Sequence, residues 1–136
     1  MTTYVALLAD AIASRDLPPA RRARLQDRIR AVLPALNDHR SWRPAIAAGF
    51  AVTLGDELQV LLTDAKLVWE VAHVIRHAFP ETDWTIACGR GALTTALHRG
   101  AKAPELDGPC FHEARAALEH AKQERLVLAF RGFGAS

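Results

Sequence analysis

The sequence has few of the features that mark secreted, membrane or polybasic proteins. It contains only two cysteines, Cys88 and Cys110, and their spacing fits neither a metal site nor a redox motif. No apolar run approaches the roughly 20 residues that a membrane helix needs, and no secretory segment opens the chain. Its 17 basic and 15 acidic residues nearly balance, which excludes a polybasic protein. We therefore expect a cytoplasmic protein with free thiols and no membrane partner.

The composition is that of an ordinary globular protein. Half of the 136 residues are apolar and 24% are charged, which argues against disorder. The sequence shows no internal repeat, linker or low-complexity segment, and its length is typical of one domain with a real core. We expect a single domain over residues 1–136.

Hydrophobic patterning predicts the element order β-α-β-β-α-β-α-β. A helix opens at Pro18-Pro19, and Pro34 is predicted to kink it or to end its regular part. Two other helices cover residues 65–79 and about 111–124, because apolar residues recur there at helical spacing. Short apolar runs predict the strands, at residues 3–9, 49–54, 57–62, 84–88 and 126–130. The segment Gly89-Arg90-Gly91 is interpreted as the exit of the fourth strand.

This order predicts an α/β sandwich of the α+β kind, with a ferredoxin-like βαββαβ core and an added αβ unit. In such a core the first two strands are parallel and the third lies between them. The Gly55-Asp56 pair predicts a type II′ hairpin between the second and third strands. Asp10 at the end of the first strand and Asp56 in the hairpin then meet at one edge of the sheet.

The juxtaposition of these carboxylates suggests a metal site. Paired strands lie about 4.8 Å apart, so Asp10, Asp56 and the adjacent Glu57 could share Mg²⁺ or Mn²⁺ together with phosphate oxygens. Each residue also has a simpler interpretation, because Asp is a common turn former and an acid after a strand is usually solvated. Spacing alone leaves both interpretations open.

Two further clusters of side chains have competing interpretations. Five arginines of the first helix could contact phosphates, but the interleaved Asp27 and the small net charge favour a solvated helix face. His73 and His77, with Glu70, have the spacing of a zinc face, yet no third ligand is evident and solvated histidines are favoured. The arginines are Arg21, Arg22, Arg24, Arg28 and Arg30.

Four stretches of the sequence resemble the SatD family. They are ALLADAIASR at residues 6–15, VTLGDELQVLL at 52–62, TIACGRG at 85–91 and DGPCFHEARAAL at 107–118. The resemblance runs from about residue 4 to 130 and implies a regulatory or stress-linked role. Longer members of that family look as though they add a carboxyl-terminal helix-turn-helix, for which this sequence is expected to have no room after its last strand. Nucleic-acid binding by that route is therefore not expected.

More distantly, the same stretches resemble the palm-type domains of class III nucleotide cyclases and GGDEF diguanylate cyclases. That resemblance implies metal ligands at Asp10 and Asp56, with Glu57 matching the fourth letter of GGDEF. It implies that the loop after the first strand binds phosphates and that Arg115 contacts the nucleotide, often across a homodimer interface. The loop residues are Ala11, Ile12, Ala13, Ser14 and Arg15.

The sequence also departs from the cyclase pattern. Phe111 stands where cyclases have a catalytic Asn, Val52 where they have a purine-selecting Lys, and Leu54 where GGDEF has its first glycine. The metal-holding part is present, and the part that selects a base and drives cyclisation is not. We therefore expect a palm-type protein that binds Mg²⁺ or Mn²⁺ and a nucleotide. The alternatives are an active nucleotidyl- or phosphoryl-transfer enzyme and a metal-free protein-interaction module.

Overall fold

A five-stranded sheet with helices on both faces forms the protein. The computed structural model describes residues 2–53 and 56–134. The predicted order of elements is confirmed, and their bounds are β1 Tyr4–Ala11, α1 Pro19–Asn37, β2 Ile46–Val52, β3 Glu57–Leu62, α2 Val68–Ala78, β4 Trp84–Gly91, α3 Pro109–Glu124 and β5 Leu128–Arg131.

The sheet has the topology that the element order predicts. Its strand order is β2-β3-β1-β4-β5, and β3 pairs antiparallel with both β1 and β2. The first two strands are therefore parallel with the third between them. Strand β4 pairs antiparallel with β1, and β5 adds to β4 in parallel through the crossover helix α3. This is the ferredoxin-like core with an added αβ unit.

Strand β1 lies at the centre of the sheet, and its side chains alternate between two cores. Val5, Leu7 and Ala9 pack in the core beneath α1 and α2, whereas Ala6 and Leu8 pack beneath α3. A strand buried on both faces needs a nearly continuous apolar run, which explains the composition of residues 4–9. The same alternation turns the next side chain, that of Asp10, toward α3.

The prediction that Gly89-Arg90-Gly91 is a strand exit was wrong. Strand β4 continues through Gly91, and Gly89 lies directly beneath α3. A Cβ atom at Gly89 would lie 2.1 Å from the backbone nitrogen of Ala114 and 2.3 Å from the carbonyl oxygen of Cys110. The glycine is thus required by the close packing of a helix on a strand, and it does not mark a turn.

Two helix boundaries also differ from the predicted ones. Helix α1 continues past Pro34 to Asn37, whose side chain accepts the Phe50 N–H at 2.6 Å and donates to the Phe50 carbonyl at 3.2 Å. These bonds tie the end of the helix to β2. The segment predicted as a helix from residue 65 begins with a short 3₁₀ turn, Ala65–Leu67, before α2. Gly55 of the predicted type II′ turn lies outside the described residues.

Both cysteines are buried free thiols. Burial raises the pKa of Cys88 to about 12 and that of Cys110 to about 11. Neither thiol is therefore a thiolate at neutral pH. Among the described residues, no helix is long and apolar enough to span a membrane.

Candidate functional site

The end of β1 and the β2–β3 hairpin meet at one edge of the sheet, as predicted. Asp10 lies opposite Glu57 in the antiparallel register. The N–H of Ala11 donates to the carbonyl oxygen of Asp56 at 3.2 Å, which fixes the end of β1 against the hairpin. The backbone thereby brings all three predicted metal ligands to the same edge.

A polar cavity of about 440 Å³ opens at this edge. We call it the polar cavity. It is lined by the end of β1, by the loop between β1 and α1, by the hairpin residue Asp56 and by one side chain each of α1 and α3. Its charged residues are three acids and three bases, namely Asp10, Asp16, Asp56, Arg15, Arg22 and Lys122.

Asp56 is the most deeply buried acid of the cavity, with a side chain only 2% exposed. Within the described part of the chain, its Oδ2 atom has no hydrogen-bond partner, and neither has the Nε of Arg22. These two atoms lie 3.9 Å apart, too far for a hydrogen bond. A buried carboxylate oxygen without a partner is unfavourable unless a ligand, ion or water satisfies it.

Asp10 forms an ion pair with α3. Its Oδ2 lies 2.7 Å from the Nζ of Lys122, whose side chain is half-exposed. A long, exposed lysine side chain can leave this position at a small energetic cost. Asp10 is therefore neutralised from within the protein, by a group that can move away when another cation arrives.

Glu57 is held differently from the two aspartates. Arg115 of α3 binds its carboxylate with two hydrogen bonds of 2.6 and 3.0 Å, and Thr53 and Gln59 donate to it as well. Burial alone would raise the pKa of Glu57, but the hydrogen bonds and charge of Arg115 outweigh that effect and lower it. The pair ties the hairpin to α3, and neither residue lines the polar cavity.

The loop after β1 presents its backbone to the polar cavity. The N–H groups of Ala11 and Ile12 already donate to the carbonyl oxygens of Asp56 and Asp83. Ala13 adopts the left-handed conformation, with φ of 51°, and opens a short 3₁₀ turn. Among the described residues, the structure gives no acceptor to the N–H groups of Ala13, Ser14 and Arg15. Successive free N–H groups of this kind are suited to an anion.

The residues present fit a divalent cation that two carboxylates hold. Phosphate oxygens of a bound molecule and waters would fill its remaining coordination positions. Asp56 offers an oxygen without a partner in the part of the chain that the structure describes, and Asp10 offers an oxygen whose present partner, Lys122, can leave. Glu57 has no free oxygen while it is bound by Arg115. In residues 2–53 and 56–134, no group of three His, Cys, Asp or Glu side chains is arranged to hold a metal alone. Magnesium commonly binds through one or two carboxylates plus phosphate oxygens and waters.

Sequence reasoning missed two basic residues of the cavity. Arg22 belongs to the arginine cluster of α1, for which a solvated face was favoured. That interpretation fits other members of the cluster. The Nε of Arg28 donates to both carboxylate oxygens of Glu81, and Arg30 pairs with Asp27. Arg22, in contrast, turns into the polar cavity. Lys122 lies seven residues after Arg115, hence on the same face of α3, and this spacing could have revealed it.

The histidine pair of α2 shows no sign of a metal site. The Nδ1 of His77 lies 2.8 Å from the carbonyl oxygen of His73, which is an ordinary contact within a helix. No third metal-binding side chain joins them in the described residues.

Solved structures of two protein classes share this fold. The GGDEF domain of YfiN (TpbB) from Pseudomonas aeruginosa is 18% identical with a TM-score of 0.60, and the match covers 98% of this chain and 84% of that one. A bacterial light-regulated adenylyl cyclase is 14% identical with a TM-score of 0.58, covering 95% and 75%. An EAL/GGDEF domain protein from M. capsulatus is 19% identical with a TM-score of 0.55, covering 95% and 84%.

At these identities the likeness shows the fold, which is that of the palm-type domains. No curated protein matches the chain. The family model of the SatD family matches residues 4–126, which is nearly the whole sequence. The chain therefore belongs to the SatD family.

Proposed function

We propose that this protein binds a nucleotide through its phosphates, together with Mg²⁺ or Mn²⁺, in the polar cavity. The observation that carries the proposal is the convergence of Asp10, Asp56 and the loop after β1 on one cavity of about 440 Å³. The likeness to a GGDEF domain and to an adenylyl cyclase supports it, because the fold is the same. A regulatory or stress-linked role would be exerted through this binding.

Asp10 and Asp56 would hold the cation. Asp56 supplies the buried oxygen that has no partner among the described residues, and Asp10 supplies the oxygen now paired with Lys122. A bound Mg²⁺ or Mn²⁺ would neutralise the charge of phosphate oxygens. The protein itself would position the two carboxylates and keep Asp56 away from water.

The loop and the bases of the cavity would hold the phosphates. The free N–H groups of Ala13, Ser14 and Arg15 point to an anion, and Arg22 and Lys122 add charge-assisted donors. The three acids and three bases of the cavity cancel, so the empty cavity attracts a polyphosphate weakly. A divalent cation adds two positive charges, which makes phosphate binding metal-dependent.

Glu57 and Arg115 enter the proposal as positioning residues. Their hydrogen bonds hold the hairpin, and with it Asp56, against α3. Phe111, which replaces the cyclase Asn, is buried in the core beneath α3. Its side chain packs the fold and has no polar group for catalysis, so we propose binding and not cyclisation. The homodimer and the cytoplasmic location remain predictions.

Thermal unfolding tests the proposal. We would compare wild type, Asp56→Asn and the surface control Asp27→Asn with ATP, GTP, CTP and UTP, with and without Mn²⁺. A ligand at about 100 times its dissociation constant adds about 2.7 kcal/mol to stability, which raises the unfolding temperature by several degrees. We expect this rise for wild type and Asp27→Asn with at least one nucleotide and only with Mn²⁺.

The expected result for Asp56→Asn is loss of that rise. If no nucleotide shifts the unfolding of wild type, the proposal fails and an interaction module becomes the better interpretation. If the nucleotide is consumed during incubation, as seen by chromatography, the protein is an enzyme.

A further inference from the structure

We propose that an apolar cavity beside the polar cavity binds the nucleobase of the ligand; this inference rests on the proposed function. The apolar cavity has a volume of about 560 Å³ and lies between the end of β1 and the carboxyl-terminal end of α3. Its walls include Ile12, Leu126 and Val127, three large apolar side chains that are exposed to solvent. Exposed apolar side chains that converge on one concave surface are typical of ligand pockets.

The two cavities are continuous. Asp10, Ala11, Ala13 and Lys122 line both of them. A molecule with phosphates in the polar cavity can therefore extend a flat apolar group past Lys122 into the apolar cavity. A nucleotide combines these two parts, because its phosphates are anionic and its base is flat and weakly polar. Because the two cavities are continuous, we assign the apolar cavity to the base of the same nucleotide and not to an unrelated molecule.

Backbone strain supports the assignment. Ala13 and Arg125, with φ of 51° and 55°, are the non-glycine residues with positive φ in the described chain, and both line the apolar cavity. Arg125 ends α3, where Leu126 donates to the Ala121 carbonyl at 2.8 Å. Glycine is the usual residue at this position of a helix end. An arginine there is strained, and contact between its planar guanidinium and a base would explain its presence.

A smaller cavity of about 210 Å³ lies on the other side of Asp56, against α1, and includes Val52. It has less than half the volume of the apolar cavity, and the wider cavity of about 760 Å³ that adjoins it at Arg30 and Val52 is not lined by Asp10, Asp56 or the loop after β1. Val52 and Val127 form a matched pair for a test, because they are the same residue type and are 42% and 44% exposed. Substitution of either by Gln leaves the buried core intact.

The experiment compares the binding of inorganic tripolyphosphate with that of ATP, GTP, CTP and UTP, all with Mn²⁺, by calorimetry. In wild type we expect the best nucleotide to bind at least about fivefold more tightly than tripolyphosphate, the lower end of what one stacked base contributes. Val127→Gln should remove most of this preference and leave tripolyphosphate binding unchanged. Val52→Gln should leave both affinities unchanged.

Other outcomes overturn the inference without touching the proposed function. If wild type binds tripolyphosphate and nucleotides equally, no base is bound in the apolar cavity. If Val52→Gln, and not Val127→Gln, removes the preference, the base lies on the α1 side. Failure of both tripolyphosphate and nucleotides to bind would instead overturn the proposed function, and this inference with it.

Arg125→Gly provides a second test with opposite effects on stability and binding. Relief of the left-handed strain should raise the unfolding temperature of the ligand-free protein. The nucleotide affinity should fall severalfold, and the tripolyphosphate affinity should be unchanged. An equal loss for both ligands would place Arg125 on the phosphates and contradict its contact with the base. An unchanged nucleotide affinity would also contradict it.

Discussion

The ion pair between Glu57 and Arg115 should stabilise the protein measurably and in a pH-dependent way. The Glu57 side chain is 13% exposed and receives two hydrogen bonds from Arg115. Hydrogen bonds to charged groups contribute about 1.5–3 kcal/mol. Because Arg115 is 45% exposed, solvent screens part of this interaction, and we expect a coupling free energy of about 1–2 kcal/mol.

A double-mutant cycle measures this coupling free energy. Glu57→Gln, Arg115→Met and the double variant would be unfolded with urea at pH 7, and the departure from additivity gives the coupling. The matched control is the pair of Asp27 and Arg30, whose side chains are 72% and 69% exposed. That pair should couple by less than about 0.5 kcal/mol.

The pH dependence gives the same test a second readout. The pKa of folded Glu57 lies below its ordinary value of 4.5, chiefly through Arg115. The stabilisation is therefore complete above the unfolded pKa and disappears as the pH falls through the lowered folded value. A coupling at pH 7 no larger than that of the control pair, or one that persists when Glu57 is protonated, would refute the reasoning.

Three further predictions concern α3 and the core beneath it. Lys122→Met should raise the affinity for Mn²⁺ without nucleotide, measured by calorimetry, because Asp10 loses its internal cation; an unchanged affinity would mean that Asp10 does not bind the metal. Gly89→Ala should destabilise the protein by about 3 kcal/mol or more in urea unfolding, because the new Cβ would lie 2.1 Å from the Ala114 nitrogen. Cys88 and Cys110 should react with a thiol reagent at pH 8 only in denaturant, since burial raises their pKa to about 12 and about 11; rapid reaction of the native protein would contradict their burial.

The fold was predictable because its signals are local. Each signal lies within a short segment of the sequence. Examples are the apolar run of β1, the helical spacing of apolar residues in α1 and the hairpin between two apolar runs. Their order then leaves few topologies, and the observed one follows. The error at Gly89 has a different origin, because the close approach of α3 to β4 is a tertiary contact that no local pattern encodes.

The candidate site was predictable only in part, for a similar reason. Asp10 and Asp56 were placed together by topology alone. The partners that set their electrostatics come from distant segments, Lys122 on α3 and Arg22 on α1. Arg22 was hidden among four other arginines, and nothing in the spacing separates it from them. Which member of a charged cluster turns into a cavity depends on the helix rotation, which packing determines.

The different environments of the two aspartates imply that metal and nucleotide would bind together. Asp56 is buried beside Arg22 with an oxygen that has no partner in residues 2–53 and 56–134, whereas Asp10 already has Lys122 as its counter-ion. A metal that binds alone must displace Lys122, whose charge is then left without a partner. Under the proposed function, a nucleotide phosphate would supply that partner, and the metal would in turn neutralise the phosphate. Each ligand would therefore favour the binding of the other, and linkage requires the effect to be equal in both directions.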